Sequence, residues 1–250
     1  MRELGSICWR TVAACGLLCL SVAVTPQKSA PPVRRTFSTV ENLVARLKVE
    51  RAPSPLAATL KLTTCGLGDG NCQDRSFEIR HPRLSSTADT AVVLVKDLQW
   101  ADLIALVRET TGTWRWAGTL PLRFAYEQLH LEFRSIVASG VDEIVVFNDT
   151  VGHGSGIYQG RLLIAKLLDG ELRVVFAAAD RSNINGWGPV DYQHSSNFTF
   201  AAPGKEPGAI SEMSNYTIGA RHYRIKRDYE WSDQLQLFAP GICDEITDVR

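Results

Sequence analysis

The chain has 250 residues, 45% of them hydrophobic and 22% charged, and its 27 basic and 27 acidic side chains balance to no net charge. That much apolar material builds a sizeable core and excludes a wholly disordered chain. Balanced charge without a basic patch excludes binding to nucleic acid or to an anionic membrane surface by bulk electrostatic attraction.

Arg2 and Arg10 precede an uncharged run of fourteen residues, Thr11 to Val24, after which the chain turns polar and proline-rich. A charged start, a short apolar run and the small residues Ser21 and Ala23 form the pattern of a signal peptide cleaved after Ala23. Ala30 suits cleavage less, because Lys28 stands two residues before it. The run falls short of the roughly 20 apolar residues of a spanning helix, so no stable membrane span is expected. Val12-Ala13-Ala14-Cys15 has the outline of a lipobox, but only four residues separate Cys15 from Arg10, which disfavours lipid anchoring there. The expected organisation is a signal at 1–23, a Pro-rich linker at 24–37 and one mostly β domain at 38–250, exported to the periplasm or the cell exterior.

Cleavage removes Cys8, Cys15 and Cys19 and leaves an odd number, Cys65, Cys72 and Cys243. Cys65 and Cys72 flank Gly-Leu-Gly-Asp-Gly-Asn, a stretch able to bring two sulfurs together, and a bridge between them is expected. Cys243 is then free or paired between chains. No C-x-x-C pair and no histidine at zinc-ligand spacing accompanies these cysteines, so neither metal nor cofactor is expected.

Ser38 stands three residues before Glu41 as a capping box, and Val40, Leu43, Val44 and Leu47 recur at helical spacing before Pro53, which predicts one short amphipathic helix. Beyond it the period becomes two. Ala91 to Val95 reads as a strand, and so does Leu129, Leu131, Phe133 alternating with His130 and Glu132. Ile144 to Phe147 reads as a buried central strand. Three hairpins are expected. The first runs Leu103 to Arg108, turns at Thr111-Gly112 and returns with Trp114 and Trp116 on one face. The second runs Arg161 to Leu168, turns at Asp169-Gly170 as a type I′ turn and returns with Leu172, Val174 and Phe176 alternating with Arg173 and Val175. The third carries Tyr223 and Ile225, turns at Trp231-Ser-Asp and returns with Leu235 and Leu237. The fold class is therefore mainly β: antiparallel hairpins forming a propeller-like array or a two-sheet sandwich, with one short N-terminal helix.

Gly140-Val-Asp-Glu-Ile-Val-Val, then Gly154-Ser-Gly-Ile-Tyr, then a strand, Asp169-Gly170 and another strand resembles one repeat of FG-GAP-type extracellular β-propeller proteins over about residues 135–176. In that family an Asp-rich loop ahead of the Glu-Ile-Val-Val strand holds calcium, whereas here Ser135-Ile-Val-Ala-Ser139 stands in its place. The resemblance thus implies a fold and no calcium site.

Among candidate sites, Gly152-His153-Gly154-Ser155-Gly156 lacks the glycine spacing of a hydrolase elbow, since residue 153 is His and residue 157 is Ile. With Asn148, Asp149 and Tyr158 it still forms the polar loop in which a pocket is expected. Trp187, in Asn185-Gly-Trp-Gly, is the aromatic placed to meet a ligand, whereas Trp114 and Trp116 are expected to bury together. His130 and His222 fall on the polar faces of strands, and His81 precedes a proline where the backbone is extended. His194 lies in a polar run with no ligand or nucleophile specified by spacing. Asn148, Asn197 and Asn215 head sequons, which count only in a glycosylating host. The reading is an exported, non-catalytic binding or structural β module whose partner is an extracellular glycan, peptide or protein, with Trp187, Asn148, His153 and Tyr158 as ligand contacts. The alternative is a secreted hydrolase using His153, Ser155 and Asp149.

Overall fold

The computed structural model describes residues 2–3, 7–8, 36–49, 54–65, 72–97, 100–123, 129–151, 158–183, 192–204, 207–241 and 243–249. Among them the chain is mainly β, with two antiparallel sheets, two helices and no closed barrel, the sandwich-like form of the expected fold class.

The first helix, α1 (Val40–Val49), buries the stripe Val40, Leu43, Val44 and Leu47. Its cap lies one residue later than the expected Ser38, because the Asn42 amide donates to Thr39 Oγ1 at 3.0 Å. A second helix, α2 (Pro55–Thr59), was not foreseen. Ser54 caps it by accepting from the Ala57 amide at 2.9 Å, and Pro55 fills the first turn, where no backbone donor is needed.

The smaller sheet contains β3 (Thr36–Phe37), β4 (Ser76–Arg80), β5 (Thr90–Lys96), β6 (Trp100–Arg108) and β7 (Trp114–Arg123), in the order β3-β7-β6-β5-β4. Thr36 and Phe37 fall within the expected linker, yet Phe37 is buried and pairs with Trp114, so the folded domain begins before residue 38. β5 and β6 are covered on both faces. Ala91, Val93, Val95, Ile104 and Leu106 pack with α1 and α2, while Val92, Leu94, Ala101 and Leu103 face the other sheet. Two-sided burial is why these strands read as apolar runs without alternation. Trp114 and Trp116 share the helix-side face as expected, but both remain half-buried at its margin. Cys65 and Cys72 are joined with Cα atoms 4.9 Å apart, and both lie in the core under α1. The fully buried Asp102 holds the segment ahead of Cys65, accepting from Thr63 Oγ1 at 2.8 Å and from the Thr64 amide and hydroxyl at 2.7 Å.

The larger sheet contains β8 (Leu129–Ala138), β9 (Val141–Val151), β10 (Tyr158–Leu168), β11 (Glu171–Asn183), β12 (Tyr192–Phe200), β13 (Ala209–Ile218) and β14 (Arg221–Ser232), paired consecutively. β15 (Leu237–Pro240) and β16 (Cys243–Asp248) both pair with β14. Two-residue strands β1 (Arg2–Glu3) and β2 (Ile7–Cys8), within the segment read as a signal, pair with β16. One face of β9 and β10, with Ile144, Val146 and Ala165, packs on the smaller sheet. The other face, with Val145, Leu162 and Ile164, is covered by Ile210, Tyr229 and Phe238 of the same sheet, which therefore curls over itself. The curl is closed at its rim where the Gly208 amide donates to the Ile136 carbonyl at 2.9 Å.

Two hairpins differ from expectation in detail. In β11 a bulge opposite Ile164 and Ala165 breaks the alternation, so Val175 and Phe176 are both buried and Val174 is 48% exposed. In the third hairpin Trp231 still belongs to β14 and the turn is Asp233–Gln236. Leu235 is thereby left 59% exposed, and Phe238 is the inward residue of the return strand. A bulge in β8 between Arg134 and Ala138 frees two amides from the ladder. The buried Glu143 carboxylate takes both, from Ile136 at 2.7 Å and Val137 at 3.1 Å, and also pairs with buried Lys166. Removing either charge would leave the other buried without its counterion, so this pair is bound into the curl's integrity.

Candidate functional site

The expected site loop is shorter than its sequence range. Asn148 to Val151 belong to β9 and Tyr158 opens β10, with Tyr158 opposite Val151 and Gly160 opposite Asp149. Asn148 is 4% exposed, and alternation places it with Ile144 and Val146 on the side facing the smaller sheet, so it is a core residue and not a surface ligand contact. His153 and Ser155 lie outside the described residues, as does Trp187. The strands that lead to them are nevertheless neighbours: Tyr158 pairs with Asn183, which brings the stems of the 152–157 and 184–191 connections to the same end of the larger sheet.

At that end the outer face of β11, β12 and β13 carries a cavity of about 280 Å³. Its lining follows from cross-strand register. One row is Arg181, Ser195 and Asn215, and the next is Asn183, Gln193 and Thr217, each residue opposite the next across the ladder. β14 extends both rows, with Arg224 Nε donating to Asn215 Oδ1 at 3.3 Å and His222 Nδ1 lying 3.0 Å from Thr217 Oγ1. Arg181 pairs with the neighbouring Asp180 at 3.2 Å, which offsets the one charge in the two rows. The surface offered is an open, shallow grid of amides and hydroxyls able both to donate and to accept.

The opposite face of the same strands holds a buried polar network that sequence reading missed. Glu212 accepts from Ser196 at 2.8 Å, from Ser214 at 2.6 Å and from the Tyr229 hydroxyl at 2.6 Å. Burial and the bond to Glu212 push the Tyr229 hydroxyl up to about 12. Arg227, paired bidentately with Asp244, closes the network on the β16 side. At the other end His194 is 6% exposed, stacks on Tyr216 with ring centroids 4.4 Å apart, and has Nε2 2.8 Å from Ser196 Oγ. Burial depresses the His194 pKa, outweighing the pull of Glu212 and Asp180.

A Ser, a His and a Glu in contact invite comparison with a catalytic triad, but the order differs. Ser196 Oγ lies 2.8 Å from each of Glu212, Ser214 and His194 Nε2, so the carboxylate bonds the serine, whereas in a triad it orients the imidazole.

Neither a family model, nor a curated protein, nor a solved structure matches the chain.

No cluster of three metal-ligating side chains occurs among the described residues, and no helix there is long and apolar enough to cross a membrane. His130 and His222 are exposed on polar strand faces and His81 is exposed beside its proline, as expected. Of the sequons, Asn197 and Asn215 stand on the exposed face of β12 and β13, whereas buried Asn148 is withheld from modification in the folded chain. The one sequence signal of the buried network was its two-residue period, His194-x-Ser196 and Glu212-x-Ser214. It acquires meaning only once the register sets β12 beside β13.

Proposed function

We propose that the chain is an exported, non-catalytic binding module whose ligand is a neutral, hydroxyl-rich extracellular glycan. The observation that carries this reading is the double row Arg181–Ser195–Asn215 and Asn183–Gln193–Thr217 on the outer face of β11 to β13. Neutral amides and hydroxyls repeated at strand spacing match a ligand that presents hydroxyls at regular intervals, and a rigid sheet holds them without loss of order on binding. Trp187 belongs to the connection between β11 and β12, the strands whose Asn183 and Gln193 line the cavity, which favours it as the aromatic partner of a sugar ring. Export is supported by the signal-like leader and by the Cys65–Cys72 bridge, which suits an oxidising compartment.

The test is calorimetric titration of the full chain with neutral oligosaccharides selected on a glycan array. Gln193→Ala with Asn215→Ala removes two hydrogen-bonding groups worth about 0.5–1.5 kcal/mol each, so affinity should fall by about five- to 150-fold while the melting temperature stays put. Trp187→Ala should weaken binding as well. A chain that binds no neutral glycan, or variants that bind as the parent does, would sink the reading.

A further inference from the structure

A second cavity, of about 650 Å³, opens at the far end of the smaller sheet between the β4–β5 connection and the β6–β7 hairpin. Its size lies within the range of small-molecule sites. The connection, residues 81–89, has no regular secondary structure, yet it is tied down along its length. The Thr90 hydroxyl bonds the Pro82 carbonyl and accepts from the Leu84 amide at 3.0 Å. Arg83 is clamped to the β8–β9 turn by its carbonyl, which accepts from Asp142 N at 2.7 Å, and by its amide, which donates to Asp142 Oδ2 at 3.1 Å. Ser85 Oγ accepts from the Thr87 and Ala88 amides at 3.2 Å. Asp89 is fixed to Arg108 twice, backbone to backbone at 2.9 Å and side chain to side chain at 3.1 Å. An irregular segment held this firmly keeps a preformed shape.

That shape gathers complementary chemistry. Trp114 and His81, with ring centroids 6.2 Å apart, make an aromatic corner. Arg83 and Arg108 stand on the rim. Asp89 occupies Arg108, whereas no carboxylate among the described residues lies within ion-pair distance of the Arg83 guanidinium. The Arg83 guanidinium lies beside Gly140 of the β8–β9 turn, where a Cβ would stand 3.6 Å from its Nη1, and on an exposed side chain without a carboxylate partner it is the cation available to an incoming anion, while Asp89 retains lone pairs able to accept from hydroxyls.

We propose that this cavity is a second binding site, for an acidic saccharide: a uronate whose ring lies against Trp114, whose carboxylate pairs with Arg83 and whose hydroxyls donate to Asp89. A planar guanidinium meets a carboxylate through two parallel hydrogen bonds, which a methyl ester cannot offer in the same charged form. An aromatic wall adds selection for a ring over a bare anion.

The experiment is calorimetric titration of the full chain with trimers of galacturonate and of glucuronate, with their methyl esters, and with inorganic phosphate. At least one free-acid trimer should bind, with its ester and phosphate at least tenfold weaker. Arg83→Gln should cost the trimer tenfold or more, with the melting temperature and the neutral-glycan response of the Gln193–Asn215 face both unchanged. The proposal is overturned if neither trimer binds, if an ester or phosphate binds as tightly, or if Arg83→Gln binds the trimer as the parent does.

Discussion

His194 shows how a single side chain changes meaning between strand and sheet. In the sequence it is one polar residue among several. In the fold it is buried against Tyr216 with its Nε2 2.8 Å from Ser196 Oγ, and burial holds its pKa below the ordinary 6.5. The sign of the pH dependence follows. The unfolded chain takes up a proton as pH falls through about 6.5, while the folded chain refuses it until lower pH. The stability this residue confers is therefore complete above 6.5 and erodes as pH falls below it. Urea midpoints measured at about pH 8 and about pH 5.5 should show a larger loss in the parent than in His194→Gln. Parallel losses in the two proteins would assign the effect to other groups. Asn148 carries the converse lesson: it reads as a loop polar group and proves to be a core residue, because the strand extends past it to Val151.

Among the elements, the hairpin turning at Asp169-Gly170 was the most legible. Both residues have positive φ, 52° and 77°, as a type I′ turn requires, and Leu168 and Glu171 face each other across it. What local sequence did not carry is the turn's second duty. Arg115 of the smaller sheet donates to the Gly170 carbonyl at 3.1 Å, and a Cβ at Gly170 would fall 2.7 Å from the same guanidinium. Gly170→Val should therefore cost about 1–2 kcal/mol from the left-handed backbone alone, with a further loss as Arg115 is displaced. Equilibrium urea unfolding reads the cost, and a change within about 0.5 kcal/mol would mean the turn relaxes freely. The bulge in β11 has no mark in the local sequence for a related reason: Val174, Val175 and Phe176 are all apolar, and only the pairing to Ile164 and Ala165 decides which ones turn in.

Over the whole molecule, layers are stacked from helices, through the smaller sheet, to the larger sheet and its own returning strands. The return is held at Gly208, where a Cβ would fall on the Ala201 carbonyl oxygen and within 2.5 Å of the Ile136 oxygen. Both are backbone atoms without a side chain's freedom to move aside. Gly208→Ala should loosen the contact between the β12–β13 connection and β8 and destabilise the protein by about 1–3 kcal/mol, the usual cost of overpacking. Hydrogen exchange should place the loss first at the Gly208 amide, and unchanged protection there would show that the curl is held elsewhere.

The sequence by itself determined the β class, α1 and its buried stripe, the Cys65–Cys72 bridge and the positions of the first two hairpin turns, because each rests on contacts within about ten residues. β12 and β13 went unread, since Tyr192–Phe200 and Ala209–Ile218 place polar residues on both faces and so lack the apolar alternation that marks a strand. Tertiary structure alone decided that the larger sheet curls, that Glu143 with Lys166 and Glu212 with His194 are interior groups, and that both candidate cavities exist. These depend on cross-strand register and on residues far apart in the chain, where a one-residue shift exchanges the buried face for the exposed one.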